Sequence, residues 1–225
     1  MAALSIDDFR AYRRLCEREW GVKIVEKKTS RFMKALAVIL FFNKKFLDFY
    51  ITTIGRTVYW PNADQIDQHD FSTLYHESQH AYDYSRFPPW FVASYLSPQI
   101  LTLLVFFAFV AFTGDMGWLV CLGAVTFLVP YPSIFRTHWE MRGTACSMSY
   151  QIWTQGRVAD GFEDHMIRRF CGSGYYFMWP FRGSVKRKLG AAEAKIRAGD
   201  LTEVQSKTYQ FLVERGVVAA EAEHG

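Results

Sequence analysis

Cysteine is scarce and scattered in this sequence. The four cysteines, at positions 16, 121, 146 and 171, form no CxxC pair, and the second lies inside the most apolar stretch of the chain. A disulfide framework or a zinc site made of thiolates requires closer or more regular spacing. We therefore expect reduced thiols in a protein that faces the cytosol, and no cysteine-based zinc site.

A strong charge of one sign, targeting signals and repeats are also lacking. The net charge is only +4, and no block of Lys and Arg interleaves with aromatic residues as a base-stacking surface would need, so we expect no nucleic-acid partner. Residues 1–20 have the pattern of a charged amphipathic helix without the apolar core of a signal peptide, so we do not expect secretion. Because half of the residues are hydrophobic, the chain can bury a sizeable core.

One short motif, HExxH, points to a specific chemistry. It consists of His76, Glu77 and His80 and lies in a segment, 70–85, that we predict to be helical. Residues four apart share a helix face, so both imidazoles can reach one zinc ion, which accepts nitrogen ligands at about 2.0–2.1 Å. Glu77 lies off that stripe and can act as the general base for a metal-activated water. The alternative is a surface helix whose two histidines face the solvent.

Two histidines leave zinc in need of a third protein ligand. The continuation HxxGxxH is absent, because Asp83 and Arg86 stand where its glycine and last histidine would be. Glu140, on a second predicted helix over 140–154, is the best candidate, since the small residues that follow allow this helix to pack close to the first. His138 is the second candidate.

Further residues are candidates for supporting roles. Asp83 is a candidate for orienting a ligand imidazole, with a solvated helix acid as the alternative. Stabilisation of an oxyanion needs a donor near the metal, for which Arg142, His138 and Tyr150 are candidates. The predicted strand 56–60 is a candidate edge for an extended peptide substrate, although a purely structural strand is the stronger interpretation.

Two apolar segments separate the histidines from Glu140. Residues 87–114 and 116–135 carry no charge, and Asp115 between them marks a turn. We predict an apolar helical hairpin over 91–135, transmembrane or interfacial, that returns the chain to the histidines. Three basic residues flank its open end, namely Arg86, Arg136 and Arg142. By the positive-inside rule, the zinc site would face the cytoplasmic side of a membrane, with the lipid bilayer as a partner. A hairpin buried in a soluble core is the alternative.

The sequence resembles the gluzincin branch of zinc peptidases. The eight residues from His76 to Asp83, together with Glu140 and Arg142, resemble the signature of the mitochondrial ATP-synthase-processing peptidases. The apolar hairpin before the glutamate is similar to the HtpX and CAAX-prenyl-protease group. The resemblance implies an α+β, zincin-like fold with a small antiparallel sheet, an active-site helix and a second helix bearing the glutamate. It also implies that His76, His80 and Glu140 bind Zn²⁺ and that the chain hydrolyses peptide bonds.

These elements suggest five segments along the chain. They are an N-terminal amphipathic helix, the zincin sheet with the active-site helix, the apolar hairpin, the third-ligand helix with an aromatic segment, and C-terminal helices with a tail: 1–21, 22–90, 91–135, 136–182 and 183–225. Strands are predicted at 34–42, 46–53 and 56–60, and the C-terminal helices at 184–198 and 201–215. We predict a membrane-associated zinc metallopeptidase acting on a protein or peptide substrate. The alternative is a non-catalytic membrane or assembly protein with a relict zincin fold.

Overall fold

The chain forms a mixed fold of helices with one small sheet. The structure is a computed structural model and describes residues 4–39, 46–48, 51–61, 68–114, 132–172 and 178–219. Within these ranges there are nine helices and three strands. The helices are α1 (Ile6–Trp20), α2 (Arg31–Ile39), α3 (Gln68–Arg86), α4 (Pro88–Tyr95), α5 (Ser97–Thr113), α6 (Ile134–Gln155), α7 (Phe162–Cys171), α8 (Arg182–Arg197) and α9 (Glu203–Glu214). The strands are β1 (Lys23–Glu26), β2 (Thr52–Ile54) and β3 (Thr57–Trp60). The predicted α+β class is confirmed at this level.

Local sequence accounts for the bounds of several helices. α1 begins with a capping box, in which the Asp8 amide donates to the Ser5 hydroxyl at 3.1 Å and the Ser5 amide donates to the Asp8 carboxylate at 2.9 Å. It ends at Gly21, which adopts the left-handed conformation with φ of 65°. The same type of box, formed by Thr202 and Gln205, begins α9. The structure confirms a helix in each of the predicted ranges 1–20, 70–85, 140–154, 184–198 and 201–215, as far as it describes them. The largest shift is at α6, which begins at Ile134, six residues earlier than predicted.

The sheet is mixed, not antiparallel as predicted. Its strand order is β1-β3-β2, with β1 parallel to β3 and β2 antiparallel to β3. Gly55, with φ of 62°, lies in the tight turn that joins β2 to β3. Because β3 is the central strand and pairs on both sides, it cannot be the open edge that the sequence suggested for residues 56–60.

The strand predicted over 34–42 is wrong where the structure describes it. Residues 31–39 form α2, whose Met33 is buried while Phe32 and Val38 are largely exposed. An apolar run alone does not distinguish a strand from a helix, and this run contains alanine and leucine, which favour helix. The strand predicted over 46–53 is shorter than expected, because residues 46–48 form a turn and pairing begins at Thr52. Residues 40–45 and 49–50 lie outside the described ranges.

The prediction of a membrane-spanning hairpin is also wrong for the residues that the structure describes. Its first arm consists of two helices, α4 and α5, with Leu96 between them, and α5 has 17 residues. At 1.5 Å per residue such a helix is about 26 Å long, whereas the hydrocarbon core of a bilayer is about 30 Å thick. None of the helices in the described part of the chain has the length and apolar character needed to cross a membrane. This corrects the predicted membrane location with a zinc site on the cytoplasmic side, and the lipid bilayer as a partner stays a prediction. Residues 115–131, most of the second arm, lie outside the described ranges.

The chain divides into two compact units, each assembled from separated stretches. The first comprises Met1–Pro88, Arg142–Val158 and Lys195–Gly225, and the second comprises Pro89–Met141 and Ala159–Ala194. The five contiguous segments suggested by the sequence stay a prediction. Of the four cysteines, Cys16, Cys146 and Cys171 are free thiols, as expected, and Cys121 lies outside the described residues.

Aromatic rings fill the core of the first unit. The ring of Tyr12 on α1 lies 4.4 Å from that of Phe71 on α3 and 5.3 Å from that of Phe211 on α9. The hydroxyls of Tyr75 on α3 and Ser149 on α6 are 3.0 Å apart and hydrogen-bonded. These contacts hold α3 on the other helices of the unit along one face.

A buried lysine joins the sheet to the turn that precedes β2. Lys27 follows β1 directly, and its side chain is fully buried. Its ammonium donates to the Phe46 carbonyl and to the Thr52 hydroxyl, each at 2.7 Å, and lies 3.7 Å from the centroid of the Phe46 ring. Burial lowers the pKa of Lys27 to about 8.

We expect replacement of Lys27 by methionine to change how stability depends on pH. Between the folded-state pKa of about 8 and the ordinary value of 10.5, the unfolded chain binds more protons at this position than the folded chain. The free energy of unfolding of the unmodified protein should therefore rise with pH relative to Lys27→Met across this window. Urea unfolding of both proteins from about pH 7.5 to about pH 10.5 measures the difference, in which other titrating groups cancel. A difference that stays flat or falls would contradict the lowered pKa.

Candidate metal centre

The core residues and the motif residues of α3 lie on different faces of the helix. Five positions at helical spacing are buried: Phe71, Leu74, Tyr75, Ser78 and Ala81. His76 and Glu77 are partly exposed, whereas His80 is buried, with 7% of its surface accessible. The packing of the apolar face therefore sets the direction in which the two imidazoles lie.

The two histidines of the motif converge. Their Nε2 atoms are 3.1 Å apart, and their rings are nearly perpendicular, with an interplanar angle of 78° and 4.9 Å between centroids. Two nitrogens bound to one tetrahedral zinc at about 2.05 Å would be about 3.3 Å apart. The spacing of the imidazole nitrogens thus matches that of two ligands on one ion.

A glycine on α6 allows this helix to approach the first histidine closely. A Cβ atom at Gly143 would lie 2.6 Å from Nε2 and 2.7 Å from Cε1 of His76, closer than real Cβ contacts. Only glycine at this position leaves the imidazole in place. Glu140 lies three residues earlier on α6, which is one helical turn, and therefore on the same side of that helix.

His76, His80 and Glu140 form a group that could hold a metal ion. Their ligand atoms, one from each residue, all lie within 4.8 Å of one another, and both His80 and Glu140 are buried. Two imidazoles and one carboxylate are the donors found in catalytic zinc sites that keep a fourth position open. The structure therefore brings together the three residues that the sequence suggested as ligands.

Searches with this chain returned no matching family model, no matching curated protein and no matching solved structure. The resemblance to gluzincins thus depends on the motif residues and their geometry, and membership of that branch stays a prediction. At the level of fold, the structure shows a mixed chain of helices with one small three-stranded sheet in the described residues.

Glu77 lies beside the group without belonging to it. Its Oε2 accepts a hydrogen bond of 2.6 Å from the hydroxyl of Thr53 on β2. β2 thereby holds the carboxylate in one orientation. Its position one residue after His76 turns Glu77 about 100° away from the ligand stripe. Glu77 therefore lies outside the group of three possible ligands.

Asp83 is held by an ion pair with α6. Its carboxylate accepts from Nε and Nη2 of Arg142 at 2.9 and 2.8 Å and from the Gln79 side-chain amide at 2.9 Å. Asp83 is 4% exposed, so this charged pair is well shielded from solvent on the acid side. The contacts join α3 to α6 one turn beyond His80, and they use Nε and Nη2 of Arg142. The oxyanion role suggested for Arg142 stays a prediction.

The two remaining candidates do not join the group. His138 is exposed and lies two residues before Glu140, which places it about 200° around α6 from that side chain. Tyr150 lies about 15 Å further along α6 than Glu140. Its ring packs on Phe71 at 5.1 Å, and burial raises the pKa of its phenol. Tyr150 is partly buried and packs against the aromatic core of the first unit.

Two residues that the sequence did not single out contact the motif residues directly. Thr53 binds Glu77, and the hydroxyl of Tyr95 donates to Oε1 of Glu140 at 2.9 Å. Burial, and next the negative charge of Glu140, raise the pKa of Tyr95, so its phenol remains protonated and able to donate. No local pattern marks either residue, because each reaches its partner only through tertiary packing.

Proposed function

We propose that this chain is a zinc-dependent metallopeptidase that hydrolyses peptide bonds in a protein or peptide substrate. The observation that supports this best is the convergence of His76, His80 and Glu140 within 4.8 Å, with Glu77 adjacent and held outside the ligand set. A structural metal site has no need of a positioned, non-coordinating carboxylate beside it, whereas a hydrolase does.

The donor set favours zinc over other divalent ions. Mg²⁺ and Ca²⁺ prefer oxygen ligands, whereas two imidazole nitrogens with one carboxylate oxygen suit zinc. When bound, zinc would lower the pKa of a coordinated water to about 7 and polarise the carbonyl of the substrate.

Each residue of the site then has a separate role in the proposed reaction. His76, His80 and Glu140 would hold the ion, and the side chains of His80 and Glu140 are buried. Glu77 accepts a proton from the attacking water and delivers it to the leaving amine. Thr53 engages Oε2 of Glu77, so that Oε1 is the oxygen that takes the proton.

A zincin-like arrangement is part of this proposal. β2 pairs with β3 on one side, and its Thr53 contacts Glu77. An extended peptide that adds to the other side of β2 would place its backbone next to the base. Substrate binding by strand addition therefore involves β2 and not the central strand β3.

Metal analysis of His76→Ala tests the proposal. We expect the unmodified protein to bind about one zinc per chain, and the variant to lose it, because the remaining pair of ligands cannot complete the site. His165→Ala, which removes an exposed histidine from α7, is the matched control and should retain the metal. Inductively coupled plasma mass spectrometry after dialysis gives the stoichiometry of all three proteins. Retention of zinc by His76→Ala would contradict the assignment of the site.

A further inference from the structure

Within the second unit, α4 and the start of α6 pack through two matched faces. The α4 face consists of Phe91, Ser94 and Tyr95, and the α6 face consists of Arg136, Trp139 and Glu140. Each set has the spacing i, i+3, i+4, which defines one side of a helix. The indole N–H of Trp139 donates to the Ser94 hydroxyl at 2.9 Å, and the ring of Phe91 lies 5.0 Å from that of Trp139.

This packing fixes the ring of Tyr95 as well as its hydroxyl. Phe91 stacks on the ring with 5.8 Å between centroids and an interplanar angle of 22°. The guanidinium of Arg136 lies 5.3 Å from the ring centroid. With its ring held in this way, the hydroxyl of Tyr95 donates to Oε1 of Glu140 at 2.9 Å. The hydrogen bond therefore joins two side chains that are each positioned by their helices.

We propose that Tyr95 is a positioning residue that presents Glu140 to the metal through a single carboxylate oxygen. The inference depends on the proposed metal centre. A free carboxylate on a helix samples several rotamers and can bind an ion with one or two oxygens. The bond from Tyr95 engages Oε1, and in this proposal Oε2 is the oxygen that Glu140 offers to the metal. The orientation is set before the metal arrives, which reduces the entropy lost on binding.

Coordination through one oxygen has a consequence for the chemistry. Two imidazoles and one carboxylate oxygen give three protein ligands, which leaves a fourth tetrahedral position for water or substrate. A carboxylate that bound through both oxygens would occupy that position. Tyr95 thus favours the open geometry that a hydrolase requires, without contacting the metal or the substrate.

Tyr95→Phe tests the proposal, because it removes only the hydroxyl and keeps the ring that packs against α4 and α6. We expect the dissociation constant for zinc to rise by about 10- to 100-fold, the usual cost of losing a hydrogen bond to a metal ligand. Competition with a chromophoric chelator measures this constant. In the Co²⁺-substituted proteins, the visible absorption of the variant should weaken, as expected for a change from four to five ligands. Circular dichroism checks that the fold is retained.

Tyr82→Phe is a matched control. Its hydroxyl also donates to a carboxylate at 2.7 Å, but that carboxylate belongs to Glu203, which is not one of the three proposed ligands. It should leave zinc affinity and the Co²⁺ spectrum unchanged. Ser94→Ala, which loosens α4 on α6 without touching Glu140, should weaken zinc binding in the same direction but less, and it serves as the second test if Tyr95→Phe does not fold.

The outcomes separate this inference from the proposed function. If Tyr95→Phe, or Ser94→Ala in its place, binds zinc as tightly as the unmodified protein, the positioning role is wrong while the metal centre stands. If the unmodified protein binds no zinc, both proposals fail. If zinc binding falls in Tyr95→Phe but no protein form hydrolyses peptides, the peptidase proposal fails and the positioning role stands.

Discussion

Glu77→Gln is expected to reduce peptide hydrolysis by about 10²- to 10⁴-fold while zinc content stays at the level of the unmodified protein. The amide has nearly the same shape as the carboxylate and can still accept the hydrogen bond from Thr53, which is 2.6 Å long in the structure. It cannot take a proton from water at neutral pH. The loss should therefore be seen in kcat and not in metal binding, because Glu77 lies outside the ligand group.

A pool of fluorescence-quenched peptides, assayed together with zinc analysis, measures both quantities. Glu214→Gln, at an exposed position of α9, is the control and should keep full activity. Activity of Glu77→Gln close to that of the unmodified protein would show that another group acts as base. A simultaneous loss of zinc would instead identify Glu77 as a ligand.

Gly143→Ala should reduce the free energy of zinc binding more than it reduces the free energy of unfolding. The added Cβ would lie 2.6 Å from Nε2 of His76, so the imidazole must move. Forcing an extra methyl group into a packed region costs about 1–3 kcal/mol. The atom that the added Cβ meets belongs to a side chain, so the imidazole ring can rotate away and relieve the clash. The higher helix propensity of alanine also raises the free energy of unfolding by about 1 kcal/mol. The ligand geometry has no such compensation, so zinc affinity should fall by about 5- to 150-fold.

The comparison with Gly190→Ala isolates the steric cause. Gly190 lies within α8, and a Cβ there would meet nothing within 4 Å. This variant should gain about 1 kcal/mol in free energy of unfolding and keep zinc affinity unchanged. Chelator competition and urea unfolding of both glycine variants supply the data. Equal zinc affinity in Gly143→Ala and Gly190→Ala would refute the close approach of α6 to His76.

The helices of the candidate site were predictable because their signals are local. Capping residues, apolar positions at helical spacing and a pair of prolines act within a few residues of the chain. They predicted α3 and α6, and the motif itself identified His76 and His80. Glu140 followed from the need for a third ligand and from the small residues after it, of which Gly143 proves to contact His76.

The errors arose where the outcome depends on distant partners. Residues 35–39 are apolar, but the sequence does not show whether such a run will find a strand to pair with, and here it forms part of α2. The order β1-β3-β2, with one parallel pair, likewise depends on which strands meet in space. The apolar segment that follows α3 has the composition of a membrane span, yet the break at Leu96 leaves α5 at 17 residues.

The sequence by itself determined that two imidazoles and a carboxylate share one turn of a helix, since helical geometry places residues 76 and 80 on one face whatever surrounds them. Only the tertiary structure decided which acid joins them and how it is held. The proximity of Glu140, the hydrogen bond from Tyr95 and the support of Glu77 by Thr53 each join residues far apart in the chain. Such contacts form only when packed helices and strands bring their side chains within a few ångströms, a condition that local pattern does not encode.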